Sequence, residues 1–284
     1  MSDMLQLAGI AVDALSIGGV ETCIQLPGFK LAFDIGRCPR TAVFKETVLF
    51  THAHMDHMGG VAFHAATRGM LGMSPPTYLV PHENARALAG LFQAYRKLDR
   101  SRLAHKVVPI GPGEEHKLPC GLIARPFRSP HRIPCQGYGL WTSKKKLKPE
   151  YQGLPGPELK RLRVDEGVEI AEVVEGCEVA FTGDTVIDVV EKEAAVRNAR
   201  LLVIETTFVD DKVSVKDCRS KGHVHLYEFA ERAELFKNDA ILMTHFSARY
   251  RPRDILRALD KRLPPGLRER VTPLLNGHVI DRPH

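Results

Sequence analysis

An apolar run, Thr47-Val48-Leu49-Phe50, stops abruptly at Thr51-His52-Ala53-His54-Met55-Asp56-His57, which packs three imidazoles and a carboxylate into six consecutive residues. Four apolar residues make a buried strand and are too few for a helix, so the ionisable groups are delivered together at one strand end. Burying so many of them there is costly unless a cation compensates. His52 and His54, two apart in a loop leaving a strand, converge on one ion, while Asp56 and His57, on the turn that follows, reach a second. Gly59-Gly60 then frees the backbone to enter a helix. A lone histidine among the thirteen in this chain is ordinarily a surface or satisfied core residue, but a cluster at this spacing with a carboxylate is a metal-site pattern.

The same grammar recurs downstream. Val179-Ala180-Phe181-Thr182 leads to Gly183-Asp184, Leu201-Leu202-Val203-Ile204 leads to Glu205, and Ile241-Leu242-Met243-Thr244 leads to His245. Each is a short apolar strand with a metal-competent or acid–base residue at its end. The N-terminal third reads as strands (Ile10 to Ile17, Thr22 to Leu26, Lys30 to Phe33) separated by Gly18-Gly19 and Pro27-Gly28. Further strands are predicted near Thr77 to Val80 and Ile123 to Phe127. Helices are predicted over Val61 to Gly69, over Glu83 to Leu98 through Leu88, Leu91, Phe92 and Tyr95, and at Leu226 to Phe236 and Arg253 to Lys261. Such βα alternation, twice over, predicts an α/β fold of two sheets packed face to face with helices outside.

No run approaches the ~18 apolar residues of a membrane span, and Met1-Ser2-Asp3-Met4 does not begin a secretory signal, so a soluble, unsecreted protein is expected. Cysteines 23, 38, 120, 135, 177 and 218 form no CxxC pair, which fits reduced thiols in the cytoplasm; Cys135, four residues after His131, reads better as a packing residue than as a ligand. The formal net charge is +6, and almost all of it sits between Thr142 and Arg163, where seven basic residues face two acidic ones. That segment reads as a protruding arm or long loop, and a concentrated positive patch beside a hydrolytic site predicts a polyanionic substrate.

Collecting the strand ends gives His52, His54 and His131 for one ion, Asp56, His57 and His245 for the other, and Asp184 between them. A bridging carboxylate is what two cations about 3.5 to 4 Å apart need to offset their repulsion. Nitrogen-rich ligation favours two zinc ions, with manganese or iron as the alternatives, and a hydroxide shared between the ions as the nucleophile.

With these residues in view the chain resembles the metallo-β-lactamase superfamily and, within it, the tRNase Z family of tRNA 3′-processing endonucleases, in its short, plant-type form. The carriers are His52-Ala-His54-Met-Asp56-His57, His131 before Gly137-Tyr138, Gly183-Asp184-Thr185 and the string Thr244-His245-Phe246-Ser247-Ala248-Arg249-Tyr250. Ser16-Ile-Gly-Gly19, Leu31-Ala-Phe-Asp-Ile-Gly36, Glu205-Thr-Thr-Phe-Val-Asp-Asp211 and Leu263-Pro-Pro265 extend the similarity over nearly the full length.

The resemblance implies a single four-layer αβ/βα domain over 1–284, with an inserted RNA-gripping arm over 142–167, and precursor tRNA as partner. It implies a homodimer with two zinc ions per subunit, and no role at a membrane. Glu205 resembles the glutamate of the family's HEAT motif and His223 the histidine of its HST motif, a pair that would protonate the leaving oxygen, while Asp56 would accept the proton of the attacking water. Ile204 stands where that motif has histidine, and Val224-His225 replaces Ser-Thr, so His225 rivals His223; otherwise His225 reads as a surface residue opening the next helix. Arg249 would clamp a phosphate, and Lys144, Lys145, Lys146, Lys148, Lys160, Arg161 and Arg163 would bind backbone phosphates away from the cut. Tyr250 is either a site or a core residue. The competing reading is another hydrolase of the superfamily, a glyoxalase II-like thioesterase or small-molecule phosphodiesterase, because fold and metals do not name the substrate.

Overall fold

The computed structural model describes residues 4–278, and these form two seven-stranded mixed sheets. The first holds β1 (Leu5–Leu7), β2 (Ile10–Ile17), β3 (Glu21–Leu26), β4 (Leu31–Phe33), β5 (Thr47–Leu49), β6 (Thr77–Val80) and β7 (Lys106–Pro109) in chain order. The second holds β8 (His116–Lys117), β9 (Ile123–Arg128), β10 (Gln136–Leu147), β11 (Ala171–Phe181), β12 (Leu201–Glu205), β13 (Ala240–Thr244) and β14 (Val271–Pro273), again in chain order. In both sheets the first strands pair antiparallel, and the fourth to seventh are parallel. Parallel strands need crossovers, and the helices that supply them cover the outer faces.

Three apolar layers follow from this arrangement. Val12, Ile24, Phe33 and Leu79 of the first sheet meet Tyr138, Phe181, Val203 and Leu242 of the second in the central layer. Outside the first sheet lie α1 (Met55–Met58), α2 (Val61–Met70) and α3 (His82–Asp99), with Val61, Ala65, Leu88 and Phe92 packed on Val48, Phe50 and Tyr78. Outside the second lie α5 to α10, where Val190, Phe229, Ile255 and Leu259 cover Leu202, Ile204 and Met243. Of these, α5 spans Asp188–Lys192, α6 Ala194–Asn198, α7 Val215–Ser220, α8 Leu226–Glu231, α9 Pro252–Arg262 and α10 Pro265–Arg268.

The register decides where chemistry sits. Phe33 is level with Leu49 in the first sheet; in the second, Phe181 is level with Val203 and Glu205 with Thr244. The loops after β5, β11, β12 and β13 therefore open at one edge of the sandwich, beyond the carboxyl ends of the parallel strands, where α/β sheets bind ligands.

Some sequence expectations shift. In α3 only Leu88 and Phe92 are buried; Leu91 and Tyr95 are 41% and 43% exposed, because that stripe is wider than the sheet contact and its outer half borders a groove with Phe63 and Leu98. The segment after Ser143 is no loose loop. β10 and β11 stay paired out to Leu147↔Ala171, and the short α4 (Gly156–Lys160) with a π-helical turn (Arg161–Asp165) fills the tip.

Candidate metal centre and acid–base pair

Asp34, at the end of β4, anchors the cluster. Its carboxylate, fully buried, accepts from Thr51 N (2.9 Å), Thr51 Oγ1 (2.8 Å) and His57 Nδ1 (2.8 Å). Since the Thr51 hydroxyl donates to Asp34, its oxygen receives the Nδ1–H of His52 at 3.0 Å. His131 Nδ1 donates to Gly222 O (2.8 Å), and His245 Nδ1 donates to Thr207 Oγ1 (3.0 Å), whose own proton goes to Glu205 Oε2 at 2.6 Å. Four imidazoles thus have Nδ1–H tied down and Nε2 lone pairs turned to one centre, the way acceptors behind a metal site orient its ligands.

There Asp184 divides them. Its Oδ2 lies 3.8 Å from His52 Nε2 and 3.9 Å from His131 Nε2, and its Oδ1 lies 3.3 Å from His57 Nε2 and 3.4 Å from His245 Nε2. His54 Nδ1 joins the first side at 3.0 Å from His52 Nε2, and Asp56 Oδ2 joins the second at 3.7 Å from His57 and 3.5 Å from His245. Two donor groups match these two sides, His52, His54 and His131 with Asp184, and Asp56 and His57 with His245, and a third, overlapping set brings Asp184 and His245 together with His223. His57 Nε2, His131 Nε2, His245 Nε2 and Asp184 Oδ1 are buried with no hydrogen-bond partner among the described residues. Orphaned lone pairs on converging nitrogens and a carboxylate are what divalent cations satisfy, so the residues present fit them.

The electrostatics agree. Burial holds His52, His54 and His131 below the usual imidazole range and so neutral, as ligands must be. Burial opposes charge on His57 too, but Asp184 and Asp34 overcome it and push its pKa well up, a field that favours positive charge at Nε2 whether proton or metal. Asp184 is held well below the carboxylate range, burial being outweighed by His245 and His57.

Backbone geometry serves this packing. Asp34 and His245 adopt left-handed φ values of +53° and +58°, a conformation that non-glycine residues hold only where surroundings enforce it. Here the enforcement is the Asp34 network and a bond from His245 N to Ser16 Oγ (3.1 Å). At Gly183 φ is +59° and a Cβ would lie 2.7 Å from that of Thr51, so only glycine lets β11 turn into Asp184.

Beside the cluster stands a second device. Glu205, 1% exposed, accepts from Thr185 N (2.8 Å), Val224 N (3.2 Å), Thr207 Oγ1 and, at 2.8 Å, His223 Nδ1. Burial disfavours charge on His223, yet Glu205 and then Asp184 overcome it and push its pKa up to about 9. His225 has no share in this. It is 1% exposed, caps α8 by accepting from Tyr227 N (3.2 Å), and donates through Nε2 toward Val213 O (3.1 Å), so it is a buried capping residue and not a surface one.

Remaining sequence candidates separate. Tyr250 is 4% exposed and donates to Asp210 Oδ1 at 2.9 Å, a core role. Arg249 is exposed near the cluster, its guanidinium over the Phe208 ring. Cys135 is half-buried, with Sγ 3.7 Å from His52 Nδ1. Lys144, Lys145, Lys146, Lys160 and Arg163 are exposed on the β10–β11 extension, Lys148 is half-exposed, and Arg161 pairs with Glu166 at 2.6 Å. Asp34 and Thr207 escaped sequence reasoning; the one signal for Asp34 is an acid inside the apolar run Leu31-Ala32-Phe33-Asp34-Ile35.

Residues 37–246 match the family described as "Beta-lactamase superfamily domain". tRNase Z TRZ1 of Arabidopsis thaliana is 46% identical over 275 residues, spanning 96% of this chain and 98% of that protein. Among solved structures, the metallo-β-lactamase fold protein YhfI of Bacillus subtilis superposes with a TM-score of 0.61 over 94% of this chain and 97% of its own, at 16% identity. Human tRNase Z, short form, gives 0.58 over 93% and 96% at 18% identity; both share the fold. By family match and by relative alike, the chain belongs to the metallo-β-lactamase superfamily and, within it, to the tRNase Z family.

Proposed function

We propose that this chain is a metal-dependent endoribonuclease that removes 3′ trailers from tRNA precursors. The observation that carries this reading is the Glu205–His223 pair, a charged imidazole 4.0 Å from the carboxylate that divides the two donor groups. When bound, two zinc ions per subunit, one per donor group and sharing Asp184, would supply Lewis acidity and a water acidified to near neutrality.

The chain's own residues handle the protons. Asp56 Oδ2, fixed by Gly19 N at 3.0 Å, is placed to accept the proton of the attacking water. Glu205 holds His223 as an imidazolium, and the outward Nε2 gives a proton to the leaving oxygen. Arg249 contributes charge at the phosphate. Lys144, Lys145, Lys146, Lys148, Lys160, Arg161 and Arg163 on the extension hold backbone phosphates away from the cut, in a single domain with this arm over 142–167. A homodimer would let the arm of one subunit present RNA to the other. Six free thiols support a reducing, cytoplasmic setting, and among the described residues no helix is long and apolar enough to cross a membrane.

A thioester site needs neither the proton donor nor the basic extension. The test is to incubate the zinc-loaded protein with a 3′-extended tRNA precursor and with a bis-aryl phosphodiester. Endonucleolytic release of the trailer is expected; hydrolysis of the diester alone would refute the reading in favour of a small-molecule phosphodiesterase.

A further inference from the structure

Two cations near the proton donor share one aromatic ring. The Nζ of Lys221 and the guanidinium carbon of Arg249 each lie 5.3 Å from the ring centroid of Phe208. They come from distant segments, Lys221 two residues before His223 and Arg249 four after His245, and they are no further apart than twice that distance. The ring is also in edge contact with His223, with centroids 6.3 Å apart.

Phe208 itself is 5% exposed and held firmly: its carbonyl accepts from Leu226 N at 2.9 Å, and its backbone bridges to His225. Lys221 and Arg249 are exposed, and neither has an ion-pair partner among the described residues. Glu205, the acid paired with His223, is taken by its four donors, and Asp210, Asp211 and Asp254, which share a surface pocket with Arg249, form no ion pair with it.

Like charges repel, and two of them gathered at one ring beside His223 leave a repulsion that the ring's own attraction offsets only in part. An anion reached by both cations offsets that repulsion, and attraction to the ring's π-system holds each cation beside it until the anion arrives. A carboxylate competitor is absent from the pair, so the seat is open to phosphate oxygens.

We infer that Phe208 is a positioning residue that seats Lys221 and Arg249 as a two-cation grip for RNA backbone phosphate flanking the scissile bond, making Lys221 a substrate-binding residue. This rests on the RNA-cleaving reading above. The grip would hold the strand against His223 and so set which phosphodiester is cut.

The test compares wild type with Phe208→Leu, Phe208→Tyr, Lys221→Ala, Lys221→Arg and the double variant Phe208→Leu/Lys221→Ala, using a 3′-extended tRNA precursor and a bis-aryl phosphodiester. Phe208→Leu and Lys221→Ala should each raise KM for the precursor at least fivefold, and lower kcat/KM on it at least fivefold more than on the diester. Phe208→Tyr and Lys221→Arg should recover most of that loss, and the double variant should be little worse than its weaker parent. Precursor binding in chelator should weaken in Lys221→Ala, with the salt slope shallower by about 0.7 for each phosphate left without its cation. Equal losses on both substrates would make Phe208 a mere support for His223, and wild-type RNA affinity in both variants would overturn the grip. Failure of the wild type to cut the precursor would instead sink the nuclease reading, and the binding arm would still decide the grip.

Discussion

Replacing Glu205 by glutamine keeps the shape and removes the charge that sustains the His223 imidazolium. Raising an imidazole from its usual 6.5 to about 9 corresponds to about 3 kcal/mol of preference for the charged form. Cations beside Asp184 would cancel that carboxylate's share, leaving Glu205 as the principal support. At about 9, the value in the protein without cations, roughly 97% of His223 is protonated at pH 7.5 against about a tenth at the ordinary value, and bound cations lower the first figure toward what Glu205 alone sustains. Without Glu205, burial is left to push the group lower still. Glutamine also turns an NH2 toward backbone or hydroxyl donors that now meet an oxygen, at a cost of about 1–3 kcal/mol in stability.

The expected result is a fall in kcat on precursor RNA of about tenfold from protonation alone, and about a hundredfold once lost orientation is added. The sign is specific. A raised histidine is protonated below its folded pKa, so wild-type activity and the stability of the pair persist through neutrality and are lost as pH rises through about 9. In the variant the basic limb of the kcat profile should move down by more than one pH unit, and the ratio of variant to wild-type rates should climb as pH falls from 7.5 to 6. A ratio that stays flat across that range would refute the role given to His223.

Asp34→Asn should lower metal affinity about 10- to 100-fold by freeing the His57 ring, read by competition with a chromogenic chelator; unchanged affinity would dissociate Asp34 from the centre. Stripping the metal from wild type with chelator should lower Tm by roughly 10 °C, because ligands held at about a thousand times Kd stabilise by about 4 kcal/mol. Neutralising Lys144, Lys145 and Lys146 together should weaken tRNA binding and flatten its salt dependence by about 0.7–0.9 for each phosphate left unneutralised, with the bis-aryl diester as the control substrate; an unaltered salt slope would remove the extension from RNA binding.

The strand ends were readable because a period of apolar residues followed at once by ionisable ones has one economical meaning. His52 and His245 lie just past β5 and β13, Glu205 ends β12, Asp184 follows the buried end of β11, and His57 follows on α1, all at the edge where both sheets open. What stayed hidden depends on residues that meet only in the fold. Asp34 is a ligand orienter only because Thr51 and His57 fold over it, and Thr207 joins His245 to Glu205 across 38 residues. His225 follows Gly222-His223-Val224 in sequence, yet the loop carrying Asp210 and Val213 closes over it through two carbonyls. On α3, the period through Leu88, Leu91, Phe92 and Tyr95 announces the helix but not how much of the stripe the sheet covers, and Leu91 and Tyr95 stay exposed.

The continuity of β10 and β11 makes the extension a ruler. At one end Gln136 N donates to Thr51 O at 3.1 Å, within the metal cluster, and β11 ends three residues before Asp184. At the other end the twelve residues of β10 reach the basic tip, about 40 Å away along the strand. A paired ribbon does not stretch, so the span between the basic tip and the donor cluster is written in residue count. Because side chains alternate faces, adding two residues to each strand moves the tip about 7 Å with every face preserved, whereas a single extra residue needs a bulge such as the one that already leaves Glu178 unpaired opposite Leu140 and Trp141.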